Sequence, residues 1–283
     1  MKKEADYIIN ATKAIKLLTS NLKLLIPDLT FFIIWLLLLI AFFFFNFSSL
    51  ISLVSTVYHP KLLEVAIRNI LTSNNTLIKI IVSLTAFIII HVLIGLRVSS
   101  MRYEMIRAVI KGEKLTLMKA YKESGRYVIT IFLIKLFLVL LIYIPLIIIS
   151  IFGILVLFLK NSQYVGIPII ILLILALITY LVLIKLAFLF TYPTLMLKTK
   201  KGAFKTLKET YNYYKQNKKK SLIVFLILLA VSIIIGLALS AMSAFKPSLG
   251  LVSIILFLIF FIIKEIIGII VNLWGEIFIF ENF

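Results

Sequence analysis

The sequence predicts an all-α membrane protein: six transmembrane helices arranged as three repeats, each an amphipathic helix followed by a hairpin of two spans. Three observations predict this class. Hydrophobic residues make up 63% of the 283 residues and charged residues only 14%, whereas soluble domains are about 45–50% apolar and about 25% charged. The net charge is nevertheless +19. Finally, six apolar stretches are each long enough to cross a bilayer.

This composition excludes several classes of protein. The apolar content is too high for a soluble enzyme, a DNA-binding domain or a disordered basic tail, because disorder requires low hydrophobicity. Cysteine is absent, which excludes disulfides, thiolate catalysis and cysteine-based metal sites. The first apolar stretch follows an amphipathic segment, so it is predicted to be a retained span rather than a cleaved signal.

The six spans follow from the thickness of the bilayer. A hydrocarbon core of about 30 Å requires about 20 helical residues. The stretches that meet this length are Leu25–Phe45, Leu77–Val98, Tyr127–Leu159, Ile167–Leu197, Leu222–Phe245 and Leu249–Phe280. The third contains Pro145 and is predicted to be one kinked helix. The alternative for this stretch is a span plus a re-entrant piece near Gly153.

The distribution of basic residues predicts the orientation. Twenty-two of the thirty Lys and Arg residues fall in the N-terminal segment, in Arg97–Arg126 and in Lys198–Lys220, which share one side of the predicted membrane. The positive-inside rule therefore predicts a multi-pass protein of the cell membrane with both termini in the cytoplasm.

The three basic segments share a short pattern before the first, third and fifth spans. The pattern reads Lys13-Ala14-Ile15-Lys16, Lys119-Ala120-Tyr121-Lys122 and Lys205-Thr206-Leu207-Lys208. We interpret it as a repeat with units at about 1–98, 99–200 and 201–283, within a single domain covering 1–283. Apolar residues around each pattern recur at helical spacing, so each unit is predicted to begin with an amphipathic helix.

Such helices are predicted to lie at the membrane interface, with apolar sides on the acyl boundary and lysines at anionic headgroups. The predicted lipid contacts are Lys13, Lys16, Lys119, Lys122, Lys205 and Lys208. The alternative is that these segments are cytoplasmic extensions of the spans, with lysines that serve only as topology anchors.

The third unit carries a recognisable motif. Tyr192-Pro193-Thr194-Leu195-Met196-Leu197 is followed by Lys201-Gly202-Ala203-Phe204 and by Leu207, Thr210, Tyr213, Tyr214, Lys215 and Asn217. It resembles a group of prokaryotic six-span membrane proteins that includes the membrane domain fused to some bacterial glycerophosphodiester phosphodiesterases. Here Thr210 stands where Ser is usual, and lysines replace an acidic residue before the Gly. The resemblance implies an all-helical membrane module and no known reaction.

Ionisable residues inside spans are the remaining candidates for a site, because charge in a bilayer is costly. They are Lys135, Lys185, Lys264, Glu265 and His91, all in the cytoplasmic half or near the midplane. In one interpretation each lysine extends separately to the inner headgroups and His91 forms a hydrogen bond within the bundle. In the other, the three lysines face an inner cavity and bind an anionic headgroup or substrate. Glu265 then partners one lysine and His91 tunes protonation.

No catalytic, nucleotide-binding or metal-binding motif is found, so we expect no enzyme activity, cofactor, bound metal or nucleic-acid partner. The predicted function is engagement of anionic lipid, or of another membrane-resident partner, from the cytoplasmic leaflet. The alternative is a small transporter or lipid-translocating protein for an anionic or amphipathic cargo. Small residues at Ser232, Gly236 and Ser240 suit helix packing within the chain, or a homo-oligomer as the alternative. Further polar candidates whose orientation is open are Tyr143, Thr179, Tyr180 and Asn272.

Overall fold

The computed structural model describes residues 2–46, 64–65, 73–114, 116–158, 163–199, 202–243 and 251–283. Within these residues every regular element is helical. We number the main helices α1 (Lys2–Ser20), α2 (Ile26–Phe45), α3 (Asn74–Ile110), α4 (Leu117–Ser124), α5 (Val128–Phe158), α6 (Gln163–Ala187), α7 (Ala203–Gln216), α8 (Lys218–Ser243) and α9 (Leu251–Glu281). Short 3₁₀ turns cover Leu22–Leu25 and Gly125–Tyr127, and a π-helix covers Thr194–Thr199.

In the part of the chain that the structure describes, six helical stretches are long and apolar enough to span a membrane, so the chain is a multi-pass integral membrane protein. They are Leu22–Phe45, Asn75–Ile110, Leu117–Ile154, Pro168–Lys198, Lys218–Ser240 and Leu258–Glu281. Each coincides with one predicted span, which confirms the all-α six-span class. The predicted ends at Leu159, Phe245 and Leu249 lie outside the described residues.

Pro145 lies inside one continuous helix, α5, which also contains Gly153 and extends to Phe158. The interpretation of this region as a single span is therefore correct, and the re-entrant alternative is wrong. The hydroxyl of Tyr180 on α6 donates a hydrogen bond to the carbonyl oxygen of Leu141, at 2.8 Å. That carbonyl would otherwise bond the amide of residue 145, which proline lacks.

The chain forms two compact units, Ile26–Ser99 and Met1–Leu25 with Ser100–Phe283. In the smaller unit, α2 packs on the first part of α3. The ring of Phe31 lies against Gly95, where a Cβ atom would come within 3.4 Å of it. Asn46 donates a hydrogen bond to Ser83 at 3.0 Å. The smaller unit ends beside the predicted boundary between the first two repeats, whereas the second and third predicted repeats fall together in the larger unit.

The core of the larger unit is formed by side chains in or beside the second and third basic segments and at the end of α9. Fully buried side chains there include Ile106, Tyr127, Phe190, Met196 and Phe278. Large apolar side chains along the spans are mostly exposed instead, such as Leu172 and Leu237 at 66% each. This pattern suits helices whose outer surfaces face lipid, because lipid chains are as apolar as leucine.

The chain termini lie together in the larger unit, because α1 packs along the end of α9. Asn10 donates a hydrogen bond to Asn282 at 2.9 Å, and the indole of Trp274 donates to the carbonyl of Ala11 at 3.3 Å. These contacts place both termini at one end of the larger unit. We call this end of the larger unit the terminal end.

The three predicted amphipathic helices are α1, α4 and α7. The second residue of each shared pattern is completely buried: Ala14, Ala120 and Thr206. The large apolar residues of these helices differ in their exposure, however. Ile8 is 70% exposed and Phe204 77%, whereas Leu18 and Leu207 are buried. Each helix therefore packs on the protein with one side and keeps large apolar side chains exposed beside it, while the threefold repeat stays a prediction.

Candidate functional site

A buried ion-pair cluster lies at the end of α3. The carboxylate of Glu104 is fully buried and accepts hydrogen bonds from Arg107 at 2.7 and 3.1 Å. Arg126, which follows α4, lies 3.7 Å from the same oxygen, Oε1. The other oxygen of Glu104 is buried and has no hydrogen-bond partner among the described residues. One buried carboxylate therefore lies close to two arginines of the same basic segment, Arg107 within α3 and Arg126 after α4.

The local sequence explains why Glu113 joins this cluster. α3 ends in a Schellman motif at Gly112, whose φ is +69°. The amide of Gly112 donates to the carbonyl of Val109 at 3.0 Å, and that of Glu113 to Ala108 at 2.8 Å. The turn brings Glu113 back over the last helical turn, where its two oxygens accept hydrogen bonds from Arg107 at 3.0 and 3.2 Å.

A second charged pair joins α3 to α9. Arg102 donates to Glu276 at 2.7 Å, and the hydroxyl of Tyr103 donates to the same carboxylate oxygen at 3.3 Å. The ring of Tyr103 stacks on that of Tyr192, with centroids 4.1 Å apart and planes inclined by 16°. Tyr192 belongs to the motif of the third unit, so part of that motif supports the pair.

An aromatic cluster fixes α7 against the end of α9. The hydroxyl of Tyr213 donates to the backbone oxygen of Phe283 at 3.1 Å, and their rings lie 4.8 Å apart. Phe190 contacts both rings, at 5.2 and 6.0 Å. The ammonium of Lys198 lies 5.1 Å from the ring centre of Tyr213 and 4.9 Å from that of Phe283. Burial, and then the neighbouring Tyr7, raise the pKa of Tyr213 above its usual 10.0.

A groove of about 550 Å³ lies at the terminal end, between the end of α1 and the end of α3. We call it the lysine groove, because Lys23 and Lys114 line it and form no ion pair within the described part of the chain. Glu113 also lines it, but its carboxylate is paired with Arg107. The other lining residues are Leu17, Asn21, Leu24, Met105, Val109, Gly112 and Thr116.

A second cavity, of about 370 Å³, lies between α8 and α9. We call it the α8–α9 cavity. Its polar lining residues are Arg102, Ser232, Asn272, Trp274 and Glu276. The helices approach closely at Gly275, where a Cβ atom would lie 3.2 Å from Leu228. The cavity therefore combines an ion pair, an amide, a hydroxyl and an indole with apolar walls.

The predicted intraspan residues lie outside both cavities. Lys185 and Lys264 are on exposed helix surfaces, and Lys135 and Glu265 are partly buried. Within the described residues, Glu265 forms no ion pair with a lysine. Convergence of these lysines on an inner cavity stays a prediction.

His91 lies in the smaller unit between two phenylalanines. Its ring centroid is 5.0 Å from that of Phe31 and 6.1 Å from that of Phe87, on which it stacks at 12°. Its Nδ1 atom is buried and has no hydrogen-bond partner in the described residues. The expected hydrogen bond within the bundle is therefore not made through Nδ1.

The predicted interfacial lysines divide into two groups. Lys13 pairs with Glu281 at 2.5 Å, and Lys119 lies 3.8 Å from Glu123. The other four have exposed side chains and no ion pair within the described residues: Lys16, Lys122, Lys205 and Lys208.

The sequence interpretation missed the buried ion pairs and both cavities. The positive-inside rule accounts for Arg102, Arg107 and Arg126 as topology signals and predicts no acidic partner for them. The i, i+3 spacing of Glu104 and Arg107 was a usable signal, because such residues face each other on a helix. No comparable signal links Arg102 to Glu276, since 174 positions separate them.

Comparison with known proteins adds no relationship: no family model, curated protein or solved structure matches this chain. The resemblance of the third unit to the six-span bacterial group therefore stays a prediction.

Proposed function

We propose that this membrane protein is non-enzymatic and binds anionic lipid at its terminal end, which faces the cytoplasmic leaflet. The observation that carries the proposal is the lysine groove. Lys23 and Lys114 supply positive charge, and Asn21 and Thr116 add hydrogen-bonding groups. Leucine, methionine and valine side chains form the apolar wall. This combination suits a lipid headgroup with its acyl chains alongside.

The charge balance at this end favours an anion. The acidic side chains near the groove are already compensated, because Glu113 and Glu104 both bond Arg107 and a second arginine, Arg126, lies 3.7 Å from Glu104. Four exposed lysines on α1, α4 and α7 add to the positive surface. The positive-inside distribution favours the cytoplasmic side, where anionic lipids are abundant.

The test measures lipids that remain bound after purification from micelles containing phosphatidylglycerol and phosphatidylcholine at equal mole fraction. Native mass spectrometry should show phosphatidylglycerol enriched on the unaltered protein. Each basic residue contributes about 1 kcal/mol, so the double variant Lys23→Gln/Lys114→Gln should weaken binding by about tenfold or more.

The matched control is Lys111→Gln/Lys219→Gln, which removes the same charge from exposed positions outside the groove. It should retain most of the enrichment. An equal loss in both double variants would show that only net charge matters, and no enrichment on the unaltered protein would refute the proposal.

A second candidate function is translocation of an amphipathic molecule. The α8–α9 cavity favours it, because Ser232 and Asn272 place polar groups within spanning helices. Transfer of fluorescent lipid between the leaflets of reconstituted liposomes would support it. Lipid binding without transfer between the leaflets would refute translocation and support lipid binding only.

A further inference from the structure

The α8–α9 cavity contains polar groups that lack partners. The hydroxyl of Ser232 and the amide of Asn272 line it, and neither makes a hydrogen bond within the part of the chain that the structure describes. Ser232 lies about 21 Å along α8 from Lys218, at 1.5 Å per residue. A polar group without a partner is costly in hydrocarbon. The cavity is therefore suited to a polar occupant.

The charges at one end of the cavity select the kind of occupant. Arg102 and Glu276 form an ion pair at 2.7 Å, and their side chains keep 16% and 21% of their surface exposed. A purely anionic group near Arg102 would also meet the carboxylate of Glu276. A purely cationic group would meet the guanidinium. A group that carries both charges can bond both side chains, with its anion on Arg102 and its cation on Glu276.

The walls select an amphipathic molecule. Leu228, Val231, Val271 and Ile279 line the cavity beside the polar groups. A volume of about 370 Å³ is near the lower end of ligand pockets, so it suits a headgroup rather than a whole lipid. The exposed apolar surface of α8, which includes Leu229 and Ile233, is suited to the acyl chains.

We propose that the α8–α9 cavity binds the headgroup of a zwitterionic phospholipid, with the phosphate toward Arg102 and the ammonium toward Glu276. This inference goes beyond the proposed function, because the lysine groove selects a net negative headgroup and lies at a different place. It does not depend on whether any lipid crosses the membrane.

The two tryptophans of the chain, Trp35 and Trp274, provide the test. Trp274 lines the cavity, whereas Trp35 lies on α2 in the smaller unit. In the Trp35→Phe variant, Trp274 is the sole indole reporter. The variant is reconstituted with phosphatidylethanolamine or phosphatidylglycerol brominated on the acyl chain, at equal mole fractions. Because the bromine atoms are on the acyl chain, quenching of Trp274 fluorescence requires a lipid chain near this residue. A water-soluble zwitterionic molecule bound in the cavity would not quench it.

We expect brominated phosphatidylethanolamine to quench Trp274 more strongly than brominated phosphatidylglycerol. The preference should be lost in Trp35→Phe/Arg102→Gln/Glu276→Gln, which removes together the two charges that select the headgroup. The Trp274→Phe protein, with Trp35 as its reporter, should show no headgroup preference.

Equal quenching of Trp274 by the two lipids, or stronger quenching by phosphatidylglycerol, would overturn the inference. So would a preference that persists in the glutamine variant. The comparison of headgroups on Trp35→Phe alone is decisive even if the glutamine variant does not fold. Failure of the lysine-groove test would leave this result unaffected, because that test follows phosphatidylglycerol enrichment and different residues.

Discussion

The hydroxyl of Tyr180 bonds the carbonyl oxygen of Leu141, at 2.8 Å, four residues before Pro145. Proline inside a helix leaves that carbonyl without an amide partner, and an unpaired carbonyl is costly in a bilayer. A side chain of α6 thus compensates for a proline in α5. The bond also joins two spans that pack side by side within the larger unit.

Tyr180→Phe should lower the free energy of unfolding by about 0.5–1.5 kcal/mol, the range for hydrogen bonds between membrane helices. Thermal unfolding in detergent, followed by circular dichroism, measures the change. Tyr143→Phe is the matched control, because Tyr143 is exposed on α5 and makes no hydrogen bond in the described structure. In a Pro145→Ala background the loss should shrink, since residue 145 then supplies an amide to Leu141. An undiminished loss in that background would contradict this account.

Glu104 and Arg107 provide a prediction about buried charge. Arg107→Met leaves the fully buried carboxylate of Glu104 with only the more distant Arg126, so we expect a loss of about 3–5 kcal/mol. Glu104→Gln/Arg107→Met should recover part of this loss because it removes the uncompensated charge. Chemical denaturation in detergent measures both variants. The exposed pair Lys119–Glu123 is the contrast, where Lys119→Ala should cost at most about 1 kcal/mol. A double variant no more stable than Arg107→Met would argue against charge as the cause.

The six spans could be predicted because composition alone separates lipid-facing helices from connecting segments. Composition does not identify the candidate site, however. In the basic segments, a lysine that anchors topology and an arginine that pairs with a buried carboxylate look alike. Arg102 and Glu276 meet only because α3 and α9 are neighbours, and helix neighbours are not encoded in hydropathy. Partner bonds such as Tyr180 to Leu141 depend on helix rotation, which uniformly apolar spans do not reveal.

Tyr213 predicts a change at alkaline pH. Its pKa is raised in the folded protein because burial disfavours the phenolate. The resulting contribution to stability is complete below pH 10, the usual pKa, and is lost as pH rises through the folded-state value. Tyr213→Phe cannot ionise at this position, so its stability should fall less steeply above pH 10. Unfolding temperatures of both proteins from pH 8 to pH 11, about one to two units on either side of the usual tyrosine pKa, would measure this difference in slope. Tyr211→Phe, on the exposed side of α7, is the control, and parallel curves for Tyr213→Phe and the unaltered protein would refute the prediction.

Gly112 and Gly236 should respond in opposite directions to substitution by alanine. Gly112 has a φ of +69° in the turn that returns Glu113 to Arg107. A Cβ atom there meets nothing within 4 Å, so Gly112→Ala should cost about 1–2 kcal/mol through backbone strain alone.

Gly236 lies in the interior of α8, also with open space around it. Gly236→Ala should therefore stabilise the protein by up to about 1 kcal/mol, because alanine favours the helix. Thermal unfolding of both variants in the same detergent makes the comparison. Stabilisation by Gly112→Ala would contradict the Schellman turn, and with it the position of Glu113 on the wall of the lysine groove.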